Sequence, residues 1–265
     1  MSYQRIACLS TETVETLYLL GAEDCIAGIS GFATRPPRAR REKPKVSGFS
    51  SAKIERILAV EPDLVITYSD LQAEITRDLM RAGIEVHAFN QRNLTGILAM
   101  IRSLAAMVGR AYAGELLAIN LQARLESARQ RAQVLPCHPR VYFEEWNDPL
   151  ISGIAWVSEL IEAAGGEDCF AAESLRPAAR ERIIPASDEV IRRAPDIIIG
   201  SWCGKKFRPE QLRTRPGWGA VPAVRAGELH EIKSADILSP GPSAITEGLT
   251  QMERIFARWA EDRRP

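Results

Sequence analysis

The sequence predicts an α/β fold: two Rossmann-like lobes with parallel sheets, joined by one long rigid α-helix. Three observations carry this. Short apolar runs alternate with helical patterns along the whole chain, which implies parallel strands linked by right-handed crossovers. The stretch 109–134, GRAYAGELLAINLQARLESARQRAQV, has no proline and is dominated by strong helix formers. The motifs that precede this stretch recur after it. The expected division is a lobe over 1–108, a connecting helix over 109–135 and a second lobe over 136–265.

In the first lobe, Arg5 to Leu9 is apolar and short enough for a buried strand. Ser10 or Thr11 can cap the following helix, which Gly21 ends. Ile26 to Ser30 reads as a strand, and the basic, proline-rich 33–48 as a loop, either solvated or a flap over a pocket. A helix carrying Ile54, Ile57 and Leu58 turns at Pro62-Asp63 into the strand Leu64 to Tyr68. A helix near 71–82 leads past Gly83 to a strand, Ile84 to Phe89. From Leu94, a helix places Ile97, Leu98, Ile101, Leu104, Ala105 and Val108 on one face. In the connecting helix, Leu117, Leu121, Leu125, Ala128 and Ala132 fall at helical spacing. Pro136 and Pro139 stop it. Some 25 residues of helix would span roughly 40 Å.

The second lobe repeats the pattern. Arg140 to Glu144 reads as a strand, and Trp156 to Ala164 as a helix ended by Gly165-Gly166. Ser187 is placed to cap a helix that turns at Pro195-Asp196 into the strand Ile197 to Gly200. A strand over Glu228 to Ile232 and a last helix from Ser243 to Trp259 complete the lobe. LGAEDC (20–25) matches AGGEDC (164–169), ERILAVEPDLVI (55–66) matches DEVIRRAPDIII (188–199), and RAGIEVH (81–87) resembles RAGELH (225–230). Three matches in the same order point to a duplicated lobe. Ligands of such sheets sit outside the carboxyl ends of the strands, so a cleft between those edges is expected to hold one.

Charges balance at 34 of each sign, which disfavours nucleic acid as the main partner. No apolar run approaches the roughly 20 residues of a membrane span. The opening MSYQRIACLSTETVETLYLLGAED lacks the marks of a secretory signal. The expected location is cytoplasmic, or periplasmic if an export signal has been trimmed. Five cysteines without a C-x-x-C read mainly as buried reduced thiols.

No nucleophile elbow, Walker A loop or G-x-G-x-x-G is present, and the chain reads as a non-enzyme. His87 and His230 occupy equivalent repeat positions, which favours structural roles over metal ligation. Cys137-His138 is a weak metal dipeptide, and Glu144-Glu145 could supply paired carboxylates. Phe49, Tyr68, Trp146 and Trp202 all stand at the expected ligand edges, either as packing or as stacking faces. Trp156 and Trp218 are weaker candidates, and Trp259 reads as packing. Lys205, Lys206 and Arg208 could meet carboxylates or a phosphate, or form a solvated loop.

The run VSGFSSAKIERILAVEPDLVI, the long central helix, DPLISG with WVSELIEAAGGEDCF, and SDEVIRRAPDIII together resemble the substrate-binding proteins of cobalamin and iron–siderophore ABC importers. The resemblance covers about residues 5 to 258, and the spacing of Phe49, Glu55 and Tyr68 is similar to the cobalamin-binding branch. It implies two lobes that close little, with a ligand held flat between aromatic residues at the positions of Phe49, Tyr68, Trp146 and Trp202. Asp236 matches a polar pocket position approximately, and Arg35 stands where the family has a tyrosine. Glu55 and Asp188, with Glu189 beside it, match acids that dock to a membrane permease; acids in a first helical turn also suit the helix dipole. The implied ligand is a corrinoid such as cobalamin. Alternatives are an iron–siderophore or haem carrier, favoured by Arg35, Lys205 and Lys206, a chelatase-like enzyme using His87, His230 or Glu145, and a protein-interaction role.

Overall fold

A computed structural model describes residues 2–263. The chain divides into two compact units. One runs through Gln122 and takes in Pro240–Pro242; the other comprises Ala123–Ser239 and the chain from Ser243 onward. The division falls inside a single continuous helix.

The first unit is built from β1 (Ile6–Cys8), α1 (Thr11–Leu19), β2 (Ile26–Ser30), α2 (Ala39–Glu42), β3 (Lys45–Ser47), α3 (Ile54–Leu58), β4 (Leu64–Tyr68), α4 (Ala73–Arg81), β5 (Val86–Phe89) and α5 (Leu94–Met107). Its five described strands are all parallel, in the order β3-β2-β1-β4-β5. β1 and β4 are buried on both faces, which is why their sequences are mainly apolar rather than alternating. The 33–48 region is not a bare loop: it contains α2 and the edge strand β3. Its charges are used locally. Arg38 lies 4.6 Å from the Tyr18 ring and bonds Glu23, while Arg40 donates to the Gly31 carbonyl.

Gly109, with φ of +69°, closes α5 and starts the turn into α6 (Ala111–Ala132). The buried stripe of α6 is Gly114, Ala118, Leu121, Leu125, Ala128 and Ala132, with Leu117 half-buried. The stripe therefore begins with small residues. A Cβ on Gly114 would lie 2.2 Å from the Ala105 Cβ, so α5 and α6 approach more closely than any side chain there would allow. Arg102 of α5 grips Glu115 of α6 with two hydrogen bonds of 2.7 and 3.0 Å.

The second unit continues with β6 (Arg140–Asn147), β7 (Leu150–Ser152), α7 (Ala155–Ala163), β8 (Glu167–Asp168), α8 (Ala171–Ser174), α9 (Asp188–Arg193), β9 (Ile197–Gly200), α10 (Pro209–Arg213), α11 (Pro222–Ala226), β10 (Leu229–Glu231), α12 (Ser234–Ile237) and α13 (Leu249–Glu261). The strands run β10-β9-β6-β7, with β8 also pairing with β6. β10, β9, β6 and β8 are parallel; β7 adds an antiparallel hairpin through Asp148-Pro149. A π-helical turn, Ala244–Gly248, precedes α13. The core of this unit gathers Tyr142, Phe170, Trp202, Phe207 and Trp218.

Two helix starts differ from expectation. Neither Ser10 nor Ser187 caps a backbone N–H with its side chain. Ser10 Oγ pairs with Thr13 Oγ1 at 2.9 Å, and Ser187 Oγ accepts the Trp218 indole N–H at 2.6 Å. Cys8 and Cys169 are buried, their thiols pushed up to about 12 by burial. Cys25 and Cys137 are half-buried, and Cys203 is exposed.

Candidate functional site

In the first unit the carboxyl ends of the strands are tied together by one buried side chain. Gln72 donates to the carbonyls of Leu9 (3.1 Å) and Phe49 (2.6 Å), and its Oε1 accepts the Tyr68 N–H at 2.9 Å. Gln72 thus fixes the chain after β1, the residue at the end of β4 and the loop after β3. Phe49 is held there by its backbone, while its ring is 43% exposed. It meets Phe32, 54% exposed, edge to face at 6.2 Å. Phe32 follows β2 as Phe49 follows β3, so the rule that singles out Phe49 applies equally to it. Gln72 carries no such signal, because its role needs three chain segments brought together.

Tyr68 is buried, its hydroxyl donating to the Gln91 carbonyl at 3.4 Å, with Arg92 5.8 Å from its ring. Arg35 is half-buried in the segment after Phe32. Glu12 lies at the same edge, 2% exposed in the first turn of α1. Its Oε1 accepts from Gln91 Nε2 at 3.4 Å, and that same nitrogen donates to the Pro240 carbonyl at 3.0 Å. Burial raises the Glu12 carboxyl to about 7, a shift that Glu15 reinforces.

In the second unit, Trp146 ends β6 half-buried, its indole N–H on the Asp148 carbonyl at 2.8 Å. Trp202 follows β9 and is only 3% exposed. Its indole N–H donates to Glu144 Oε1 at 3.0 Å, and its ring packs edge-on against Phe207 at 5.0 Å. Lys205, on the exposed loop after Trp202, lays its ammonium 4.0 Å from the Trp146 ring and 5.3 Å from the Trp202 ring. Lys206 and Arg208 are exposed on the same loop. Asp236, in α12, accepts from Gln251 at 3.1 Å and lines a depression of about 590 Å³ with Glu231, Lys233 and Arg254.

Glu144 and Glu145 are not a pair of free carboxylates. Alternation along β6 sends neighbouring side chains to opposite faces. Glu144, fully buried, receives both Arg215 Nη groups at 2.6 and 3.0 Å, while Glu145 receives Arg182 at 2.6 and 3.2 Å. Each charge is balanced by an arginine and committed to the fold. The histidines are also apart. His87 meets Phe89 edge-on at 4.3 Å, and burial lowers its pKa. His138 bonds the Gly165 carbonyl, and His230 bonds Glu228 at 2.7 Å. Among the described residues no group of three or more His, Cys, Asp or Glu is arranged to hold a metal ion.

Trp156 and Trp218 are core residues, and Trp259 is buried on α13. Glu55 and Asp188 each stand exposed in the first turn of a short helix, α3 and α9. Glu189, beside Asp188, is instead taken up by Arg192 and Arg193.

Two α/β units, with the exposed Phe32 and Phe49 at the carboxyl edge of one sheet and the half-buried Trp146 near the end of β6 in the other, and one helix passing from unit to unit define the class of bilobed solute-binding proteins. The chain belongs to the periplasmic binding protein family, whose model matches residues 6–235. It is similar to the vitamin B12-binding protein of Vibrio campbellii, 29% identical over 203 residues that span 75% of this chain and 70% of that one. The periplasmic heme-binding protein RhuT from Roseiflexus sp. RS-1 superposes with a TM-score of 0.82, covering 98% of this chain and 100% of RhuT at 24% identity. The periplasmic vitamin B12 binding protein BtuF of Vibrio cholerae superposes with a TM-score of 0.77 over 98% and 99% at 20% identity. At these identities the structural likeness is one of fold. No helix of the described residues is long and apolar enough to cross a membrane.

Proposed function

We propose that the chain is a non-catalytic binding protein for a large planar metal chelate, with a corrinoid as its first ligand class. The exposed Phe32–Phe49 pair carries this reading: two rings stand at the carboxyl edge of a parallel sheet, and Gln72 pins the loop of Phe49. Trp146 offers the second unit's corresponding ring. Rings fixed by backbone bonds stack on a flat ligand with little loss of side-chain entropy. Tyr68 and Trp202 are buried at the same strand ends and are assigned to support these rings rather than to stack on the ligand. Arg35 and Asp236 are assigned to polar groups on the ligand periphery. The corrinoid assignment rests on the vitamin B12-binding relative.

Haem is the second reading, and Lys205 favours it, since an exposed ammonium on an indole suits a ligand with carboxylates at its rim. For delivery we assign the chain to ABC-type uptake, with Glu55 and Asp188 as the acids that meet a permease. Both are exposed, and acids of this kind orient an encounter and speed it. Visible-absorbance titration with cyanocobalamin, haemin and a ferric siderophore tests the ligand class. We expect one of them to bind with Kd below about 10 µM, roughly 7 kcal/mol. Failure of all three sinks the reading. Loss of the stimulation of importer ATP hydrolysis by Glu55→Ala and Asp188→Ala, with ligand affinity retained, supports the docking assignment, and unchanged stimulation sinks it.

A further inference from the structure

We propose that Lys205 is a specificity residue that reads an anionic group at the rim of the ligand, and that in the unliganded protein it occupies the Trp146 face the ligand takes. This rests on the functional reading above and narrows it to chelates bearing a carboxylate or phosphate.

Both indoles near Lys205 are anchored. Trp146 is tied by its N–H to the Asp148 carbonyl. Trp202 is tied to Glu144, itself clamped by Arg215, and wedged by Phe207. Gly200 leaves room for that wedge, since a Cβ there would fall 1.9 Å from the Phe207 ring. The lysine is the movable partner. It sits in an exposed run from Cys203 to Lys206 whose turn passes through Gly204, at φ of +77°. Among the described residues, no carboxylate forms an ion pair with Lys205 or Lys206. Two acids of the adjoining strand β6 are already taken: Glu144 by Arg215 and Glu145 by Arg182. The ammonium therefore rests on aromatic faces, a contact of modest strength at an exposed site. A planar ring arriving on Trp146 displaces it. An anionic rim group then gives the displaced ammonium a stronger, charge-assisted contact than the one it left. A neutral ring of the same shape must displace the ammonium without that return.

The test uses two ligand pairs in which only the rim charge changes: haemin against its dimethyl ester, and cyanocobalamin against its monocarboxylic acid. Kd is measured by absorbance and tryptophan quenching for wild type, Lys205→Met and Lys205→Arg. Wild type is expected to prefer the anionic member of a pair it binds. Lys205→Met should weaken that member about tenfold while leaving the neutral one unchanged or tighter. Lys205→Arg should keep the preference. The substitution is at an exposed position, and an unchanged thermal unfolding midpoint shows that the fold is intact. If Lys205→Met shifts both members of a pair equally, or neither, this inference is overturned while the functional reading stands. If wild type binds neither ring system, both fall.

Discussion

Asp63 and Asp196 make the same contact in different halves of the chain. Asp63 donates its N–H to the Arg5 carbonyl at 2.9 Å and accepts the N–H groups of Gln4 and Arg5 at 2.7 and 3.0 Å. Asp196 donates to the Arg140 carbonyl at 2.8 Å and accepts the Arg140 N–H at 2.9 Å. Each aspartate thus secures the start of its unit's central strand, β1 or β6. The residue two before it is left-handed in both: Glu61 at φ of 47° and Ala194 at φ of 44°. A side chain is strained in that conformation, and the proline that follows limits the chain further. The repeated Pro-Asp motif is therefore a device for docking a strand.

Replacing either aspartate with alanine leaves backbone donors at the strand entrance without their acceptor. Asp63→Ala and Asp196→Ala should each cost about 1–2 kcal/mol in urea unfolding. Ala194→Gly relieves the left-handed strain at some entropic cost and should be neutral to about 1 kcal/mol stabilising. Equal losses in the two aspartate variants would support the duplicated role; a loss in only one would argue against it.

Glu12 makes stability depend on pH. Its folded pKa of about 7 lies above the ordinary 4.5, so the folded state holds the proton more tightly than the unfolded state. The sign follows: this group's contribution is most favourable below pH 4.5 and is lost as pH rises through 7. Glu12→Gln should gain about 3 kcal/mol over wild type at pH 8, and most of the gain should vanish near pH 4.5. Urea midpoints of both proteins across that range measure it. A pH-independent difference would show that burial does not raise the Glu12 carboxyl on folding.

Arg215→Met strips the counter-charge from a fully buried carboxylate and also loosens the acceptor of the Trp202 indole. It should cost about 3–5 kcal/mol. Adding Glu144→Gln to the same variant should recover part of that loss. A double-mutant cycle on thermal unfolding gives the coupling.

Gly114→Ala sets two effects against each other. Alanine is the better helix former by about 1 kcal/mol. Against this, its Cβ would enter the Ala105 methyl at 2.2 Å, and overpacking of this kind costs about 1–3 kcal/mol. Packing should win, with a net loss near 1 kcal/mol. A stabilised variant would mean that α5 and α6 can separate without cost.

Phe49→Ala removes an exposed ring whose loop is held by its backbone carbonyl. The thermal midpoint should stay within about 2 °C of wild type. Affinity for whichever chelate binds should fall about tenfold or more. A lower midpoint with unchanged affinity would assign Phe49 to the fold instead.

Much of the architecture was legible from periodicity. The strands Ile26–Ser30, Leu64–Tyr68 and Ile197–Gly200 are mainly apolar runs bounded by turn residues, and they form where those limits place them. The turns at Gly21 and Gly165 recur because each ends a helix with a left-handed residue. The site was less legible. Phe49 follows β3 as its place in the sequence implied, whereas β6 runs on past Glu144 and takes in Trp146. Burial of Trp202 was not readable, since it depends on Phe207, Arg215 and Glu144 arriving from elsewhere.

By itself, the sequence determined the alternation of strands and helices, the repeat, and the single long helix with no proline inside it. These are set by local periodicity and by turn residues, both of which act over a few positions. Tertiary structure alone decided which charges were already balanced and which remained available. Glu144 and Glu145 became two separate ion pairs, Ser187 became an acceptor for Trp218, and Gln72 became the tie for three strand ends. The helix shows the same division. Its length and continuity were local matters, but its buried stripe begins at Gly114 and Ala118. The close approach of α5 selects small residues there, whatever apolar pattern surrounds them.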